Sequence, residues 1–238
     1  PLLSKLRHIT IKGGEPLYDK NCLNFLNTVS NVNPDLNIRL VSNITILSKR
    51  TLNILNKLNN VYLTASIDGS HETYNWIRGF EFKTVDKNFH ILSNHPSIKK
   101  LNINYTVSIY NILNIFETMS HFQKYQNKIF TRDGIAFNPV SENYMHINLL
   151  PENERDKILK ISKDDFSFTI PEHNLLTLKN LLNTNCTAES QKHFSEYTMW
   201  MNSQRKFNIE DIAPYINNKT KAIFITHYGG FPCDMDPI

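Results

Sequence analysis

The run His8-Ile9-Thr10-Ile11-Lys12 leads directly into Gly13-Gly14-Glu15-Pro16-Leu17. The first five residues centre on the β-branched Ile9, Thr10 and Ile11, which predicts a strand. The two glycines lack Cβ atoms and admit positive φ, so the main chain there lies open to a bulky ligand. Pro16 then fixes φ on the way out of the turn. Read locally, this is a strand-to-helix corner, and the bland account is a structural turn. The rest of the chain decides whether it is more.

Strand-like segments recur at Ile38–Ser42, Val61–Ile67, Leu101–Ser108 and Gly134–Asn138. Helical periodicity fills the intervals: Cys22-Leu23-Phe25-Leu26-Val29, Leu52-Leu55-Leu58, Val85-Phe89-Leu92, and Ile112-Ile115-Phe116-Met119-Phe122. Strands alternating with helices predict parallel pairing through right-handed crossovers. Five such strands fit an open doubly wound sheet or a partial barrel. The pattern changes near residue 140. Tyr144–Leu149 reads as one more strand, and Pro151-Glu152 as a helix start with proline and acid in the first turn. Leu175-Leu176-Leu178-Leu181-Leu182 reads as a helix, as does the stripe Phe194, Tyr197, Met201, which reads as core packing. Ala222–Thr226 is a short strand candidate, and Tyr228–Ile238 a loop or loose end.

Composition sets limits. The 238 residues are 40% hydrophobic and 20% charged, enough for a sizeable core, with a net charge of +4. That excess is mild and scattered, so a nucleic-acid partner is not expected. No apolar run reaches the ~20 residues of a membrane span, so no membrane partner is expected. Cys22, Cys186 and Cys233 are too far apart for a disulfide framework or a metal knuckle, and point to a reducing, cytoplasmic setting. The chain opens on Pro1-Leu2-Leu3 without an initiator Met and reads as a piece of a longer protein.

Three segments are informative together: Gly13-Gly14-Glu15-Pro16; Ser66-Ile67-Asp68-Gly69 with Trp76-Ile77-Arg78-Gly79; and Tyr105-Thr106-Val107-Ser108 followed by Asn111. Their order and spacing resemble the radical SAM enzymes, in particular those with a C-terminal SPASM or twitch extension. The resemblance covers about residues 1–140. The segment Glu196-Tyr197-Thr198, Arg205 and Asp211-Ile212-Ala213-Pro214 also looks like the tail of twitch-type members. The resemblance implies an α/β fold: a partial TIM-like (β/α)6 barrel, truncated at its N-terminal strand, over residues 1–140, with a mostly helical extension over 141–238. It implies S-adenosylmethionine as cofactor, bound through Gly13, Gly14, Glu15, Pro16, Asn43, Ser66, Asp68 and Arg78. The diglycine backbone would face the methionyl amino group, Glu15 would orient the loop or balance the ammonium, and Arg78 would pair with the carboxylate. A peptide or protein substrate and an electron donor in the parent protein follow from the same resemblance.

Each residue also has a structural account. Asp68-Gly69 is a common turn dipeptide, and Arg78 suits a surface helix. Ile44 stands where the family often has the glycine of Thr-Asn-Gly, and Tyr74-Asn75 where many members have His-Asp. Asn138 either faces the pocket or begins a loop.

The family's [4Fe-4S] cluster is held by a Cys-x3-Cys-x2-Cys loop. Only twelve residues precede Gly13, and none is cysteine. Gly229-Gly230-Phe231-Pro232-Cys233 faintly resembles the approach to an auxiliary cluster, but one thiol does not hold one. Two explanations stand: loss of the upstream loop by truncation, or a degenerate member without radical chemistry. The alternatives to the enzyme are a cluster-less barrel that binds SAM, a nucleotide or a partner without turnover, and an unrelated α/β enzyme with a chance Gly-Gly-Glu-Pro turn.

Overall fold

The computed structural model describes residues 3–125, 135–160 and 172–204. The expectations placed on Ala222–Thr226, on the tail from Arg205 to Pro214 and on Cys233 lie outside these residues, as does the side chain of Met201.

The strands form where β-branched alternation predicts them: β1 (His8–Ile11), β2 (Asn37–Ser42), β3 (Asn60–Ser66), β4 (Ile98–Val107) and β5 (Ile135–Pro139). They make one sheet in the order β1-β2-β3-β4-β5, and every pairing is parallel. That order settles the architecture. A doubly wound sheet reverses strand order at a switch point, whereas a barrel adds each strand beside the last. The described strands never reverse, so the fold is α/β of the partial TIM-like barrel type.

Helices α1 (Lys20–Val32), α2 (Lys49–Leu55), α3 (His71–Arg78), α4 (Phe82–Ser93) and α5 (Ile115–Phe122) occupy the crossovers. Their starts are chemically marked. Asp19 caps α1, its carboxylate accepting from the Cys22 N–H at 2.7 Å, and Ser48 caps α2 by accepting from the Thr51 N–H at 3.0 Å. Such caps satisfy amides the helix itself leaves unpaired. Helix α3 ends on Gly79 at φ 62°, a left-handed stop.

Burial follows the pleat. Ile38, Leu40, Val61, Leu63, Ala65, Leu101, Ile103 and Tyr105 face the helices and are essentially inaccessible. The alternate residues Arg39, Tyr62, Thr64, Asn102 and Asn104 face the other, concave side. The core is continued by rings: Phe82, Phe89, Phe122 and Tyr125 pack edge-on or tilted at 4.7–6.1 Å between centroids.

Beyond β5 the structure corrects one expectation. Tyr144–Leu149 is not a strand but two single 3-10 turns, Asn143–Met145 and Ile147–Leu149, joined through an extended His146. Met145 and Ile147 both point inward, so their spacing of two mimics a strand. The remaining helices are α6 (Glu152–Lys160), α7 (Glu172–Leu182) and α8 (Ala188–Gln204). Helix α7 leans on the last strand, with Asn174 donating to the Ile135 carbonyl at 3.1 Å. Phe194 and Tyr197 of α8 pack against Tyr110 and Tyr144. One buried cluster thus runs from the sheet through Met145, Ile147 and Leu150 to Leu178 and Leu182. No helix among the described residues is long and apolar enough to cross a membrane.

Asp86 on α4 ties that helix to α5. It meets His121 Nε2 at 2.9 Å and Lys124 Nζ at 3.4 Å. Burial pushes its carboxyl up, but the hydrogen bond from His121 and the charges of His121 and Lys124 outweigh it and hold it below its ordinary 3.8. The folded state therefore binds that proton less readily than the unfolded one. The resulting stabilisation is complete above the ordinary carboxylate pKa and disappears as pH falls through the folded value. Urea unfolding of Asp86→Asn between about pH 5 and 3 is expected to show a shallower acid loss than the wild type.

Candidate functional site

The C-terminal end of the sheet bears a cleft of about 820 Å³, lined by Gly13, Gly14, Glu15, Tyr18, Asp19, Lys20, Val41, Ser42, Asn43, Ser66 and Arg78. These residues leave β1, β2 and β3 at the same edge, the edge where ligands sit in barrel-like α/β folds.

The diglycine corner is built as its composition predicts. Gly13 has φ 91° and Gly14 φ 57°, and a Cβ placed on either would meet no atom within 4 Å. The main chain is therefore bare and the space beside it open. For an L residue the left-handed conformation at Gly14 costs about 1–2 kcal/mol. Nothing among the described residues fills the corner, and it faces the same cleft as Ser66 and Arg78.

Glu15 fixes that corner to the next strand. One carboxylate oxygen accepts from the Ser42 hydroxyl and from the Leu17 N–H at 3.3 Å. The other accepts from the Asn43 N–H at 2.8 Å. Of the two roles expected for Glu15, the geometry supplies the loop-orienting one. Asn43 in turn accepts from the Thr45 N–H at 3.0 Å and hydroxyl at 2.8 Å, which shapes the β2 exit.

Ile44 holds a glycine's conformation without being one. Its φ is 50°, although the side chain is wholly buried. A β-branched residue adopts this region only where the surroundings enforce it. Here Asn88 of α4 donates to the Ile44 and Thr45 carbonyls at 2.8 and 3.2 Å, and the Ile44 N–H donates to Ser42 Oγ at 2.9 Å. The backbone path is thus kept by long-range hydrogen bonds in place of a permissive residue.

Asp68 and Arg78 meet each other. Arg78 Nη2 lies 2.5 Å from Asp68 Oδ2; Asp68 is fully buried, and the Arg78 side chain is 12% exposed. Asp68 Oδ1 accepts from the Thr106 N–H at 2.8 Å, and its main-chain carbonyl accepts from Asn111 Nδ2 at 2.9 Å. Burial drives the Asp68 carboxyl up, while Arg78 and the Thr106 N–H pull it partway back. Asp68 consequently does not line the cleft; it anchors Arg78, which does. Arg78 Nε is buried without an acceptor among the described residues, while the residue itself lines the cleft. Pro16 is likewise buried, turning the chain into the core beside Leu17.

Asn111 ties the exits of β3 and β4. Besides Asp68, its amide donates to the Thr106 carbonyl at 2.8 Å, and its Oδ1 accepts from the Ser108 N–H at 2.9 Å. Gly69 lets α3 dock closely: a Cβ there would sit 3.0 Å from Thr73 Cγ2 and 3.2 Å from the Tyr74 nitrogen, so these neighbours would have to give way. Tyr74 is a buried core ring, and Asn75 accepts from the Phe82 N–H at 2.6 Å, so both serve packing and helix entry. Asn138 lies on β5 and donates to Asn104 Oδ1.

Tyr18, Asp19, Lys20 and Val41 also line the cleft, beyond the residues singled out from sequence. Tyr18 is 63% exposed, and an aromatic standing in solvent directly after the Gly-Gly-Glu-Pro corner was the available signal.

An iron–sulfur cluster does not fit the described residues. Cys22 is half-buried on α1, and burial, with Asp19 and Glu15 nearby, raises its thiol above the ordinary value. No group of three or more His, Cys, Asp or Glu side chains among the described residues could hold a metal ion.

No protein-family model matches the sequence, and no curated protein does. Among solved structures, the chain is similar to Streptococcus suis SuiB bound to S-adenosylmethionine, at 18% identity and a TM-score of 0.44, over 56% of this chain and 30% of that one. It is similar to native anSMEcpe with bound AdoMet and the Cp18Cys peptide, at 16% identity and a TM-score of 0.46, over 64% of this chain and 46% of that one. It is also similar to SuiB bound to the precursor peptide SuiA, at 15% identity and a TM-score of 0.45, over 84% of this chain and 36% of that one. The chain therefore spans less than half the length of each.

Proposed function

We propose that this chain binds S-adenosylmethionine in the cleft at the strand ends, as part of a radical SAM enzyme acting on a peptide or protein. The supporting observation is the bare Gly13–Gly14 main chain, at positive φ, opening onto the cleft that Ser66 and Arg78 also line. In this reading the diglycine carbonyls accept from the methionyl ammonium. Arg78, oriented by Asp68, offers its remaining donors to the carboxylate. Ser66 contributes a hydroxyl at the β3 end, and Glu15 holds the loop to β2 so that the carbonyls stay aimed. A cleft of about 820 Å³ is ample for a nucleoside-sized ligand.

The bound cofactor supplies a 5′-deoxyadenosyl radical for hydrogen abstraction only when a reduced [4Fe-4S] cluster acts on it. These 238 residues offer three scattered cysteines and no Cys-x3-Cys-x2-Cys loop, so cleavage is proposed only for a parent protein carrying that loop and an electron donor.

Titration calorimetry with S-adenosylmethionine tests the binding. Saturable uptake is expected, weakened at least about tenfold by Gly14→Val, whose Cβ enters space with no protein atom within 4 Å, at the backbone cost of an L residue in the left-handed region. No heat up to millimolar cofactor, or unchanged affinity in a folded Gly14→Val protein, overturns the reading. Anaerobic iron–sulfide reconstitution separates enzyme from binding module: this chain is expected to yield neither a reducible cluster signal nor 5′-deoxyadenosine.

A further inference from the structure

The concave face of the sheet bears a second cleft of about 630 Å³, and its lining is cationic. Lys12, Arg39 and Lys100 line it together with Thr10, Tyr62, Thr64, Asn102 and Asn104, and no acid is among the lining residues. Strand register sets the charges in line. Thr10 pairs with Arg39, Arg39 with Tyr62, and Tyr62 with Lys100, so one transverse row crosses β1 to β4. Arg39 and Lys100 are two strands apart, which places their Cα atoms about 10 Å from each other. Neither these two nor Lys12 is held in an ion pair among the described residues.

A second observation bears on the ligand. Asn102, on the next row of the same face, has a buried side-chain carbonyl oxygen without a donor among the described residues. The broad χ2 well of asparagine lets that oxygen swing toward an incoming N–H. The cleft therefore offers positive charge for anions and an unused acceptor for an amide. A carboxylate-bearing peptide supplies both groups; a phosphate supplies only the first.

Val41 lines this cleft and the cofactor cleft alike, so the two adjoin. We infer that the concave face receives an acidic peptide segment, its carboxylates on Arg39, Lys100 and Lys12, and presents it beside the cofactor cleft. This deepens the proposed function by naming the substrate chemistry, and the adjacency to the cofactor rests on that reading.

The test uses the 238-residue chain and an acetylated, amidated Glu-Ala-Glu-Ala-Glu peptide, labelled for anisotropy, with its Gln-for-Glu counterpart. The acidic peptide is expected to bind and the neutral one not. Arg39→Gln and Lys100→Gln, both at solvent-accessible positions, are each expected to weaken binding about five- to tenfold, and raised salt to weaken it further. Equal binding of both peptides, binding of neither, or unchanged affinity in both variants overturns the inference. So does displacement of the acidic peptide by inorganic phosphate at equal concentration. Titrating the same variants with S-adenosylmethionine keeps the two readings apart. Neither residue lines the cofactor cleft, so cofactor affinity is expected to hold while peptide affinity falls; lost cofactor binding with retained peptide binding indicts the proposed function alone.

Discussion

Replacing Arg78 by alanine is expected to cost about 3–5 kcal/mol of stability, the loss that follows when one partner of a buried ion pair is removed. Asp68 has no access to solvent, so its charge cannot be rehydrated in place. One oxygen retains the Thr106 N–H, and the other loses its only charged neighbour. Burial, already the largest influence on that carboxyl, is then less opposed and pushes it further up. The sign with pH follows. A carboxyl raised in the folded state holds its proton there at pH values where the unfolded chain has released it. The defect of Arg78→Ala is therefore largest near neutrality and shrinks on acidification through the raised folded value. Urea unfolding at several pH values checks both parts. A loss below about 1 kcal/mol at neutral pH would show that the pair is not what holds this loop. Asp68→Asn is expected to cost less than Arg78→Ala, because the amide keeps the shape and leaves no buried charge behind. The double variant is expected to fall short of the sum by about 1–3 kcal/mol, since both changes break the same contact.

The second large effect is expected at Glu15. Its carboxylate is the shared acceptor for the Ser42 hydroxyl and for the Asn43 and Leu17 amides. Ser42 is 2% exposed and Asn43 is 8% exposed, so neither donor regains water easily once the carboxylate is gone. Leaving buried donors unpaired costs about 1–3 kcal/mol each, which puts Glu15→Ala near 2–4 kcal/mol. Glu15→Gln is expected to recover part of this, because its single oxygen still serves one side of the staple. The functional consequence is separate from the thermodynamic one. Glu15 ties the corner to β2, so under the proposed function S-adenosylmethionine affinity in a folded Glu15→Gln protein is expected to drop about tenfold. Wild-type affinity in that variant would show that the corner keeps its shape without Glu15.

The contrast between these two acids shows where sequence reading reached. Both stand in motifs that pointed to the site, and both proved to act through protein groups. Glu15 holds the loop and still borders the cleft. Asp68, two residues beyond Ser66, is turned inward instead. A period-two pattern indicates that neighbouring residues face opposite sides, but it stops at the strand end, where the chain leaves the pleat. Beyond Ser66 only the docking of α3, with Gly69 against Thr73 and Tyr74, determines the direction of each side chain. Helix α3 itself is short, burying Tyr74 and Ile77 over two turns.

Ile44 shows the same limit from the other side. A residue other than glycine there argues against close approach of the main chain to a ligand. The left-handed backbone is adopted all the same, with Asn88, forty-four residues away, donating to the Ile44 carbonyl. No local feature of the sequence announces that bond. The reading of Tyr144–Leu149 as a strand failed for a related reason: two apolar residues spaced by two look alike in a strand and across a pair of 3-10 turns.

By itself the sequence determined the five strands, most of the helices between them and the open glycine corner. These depend on local alternation, on caps and on the missing Cβ, interactions that span a few residues. Tertiary structure alone decided the unreversed strand order, the inward turn of Asp68 onto Arg78, and the row of Arg39 and Lys100 on the concave face. Each of those depends on register between segments distant in the chain, and register is fixed only when the sheet closes over its common core.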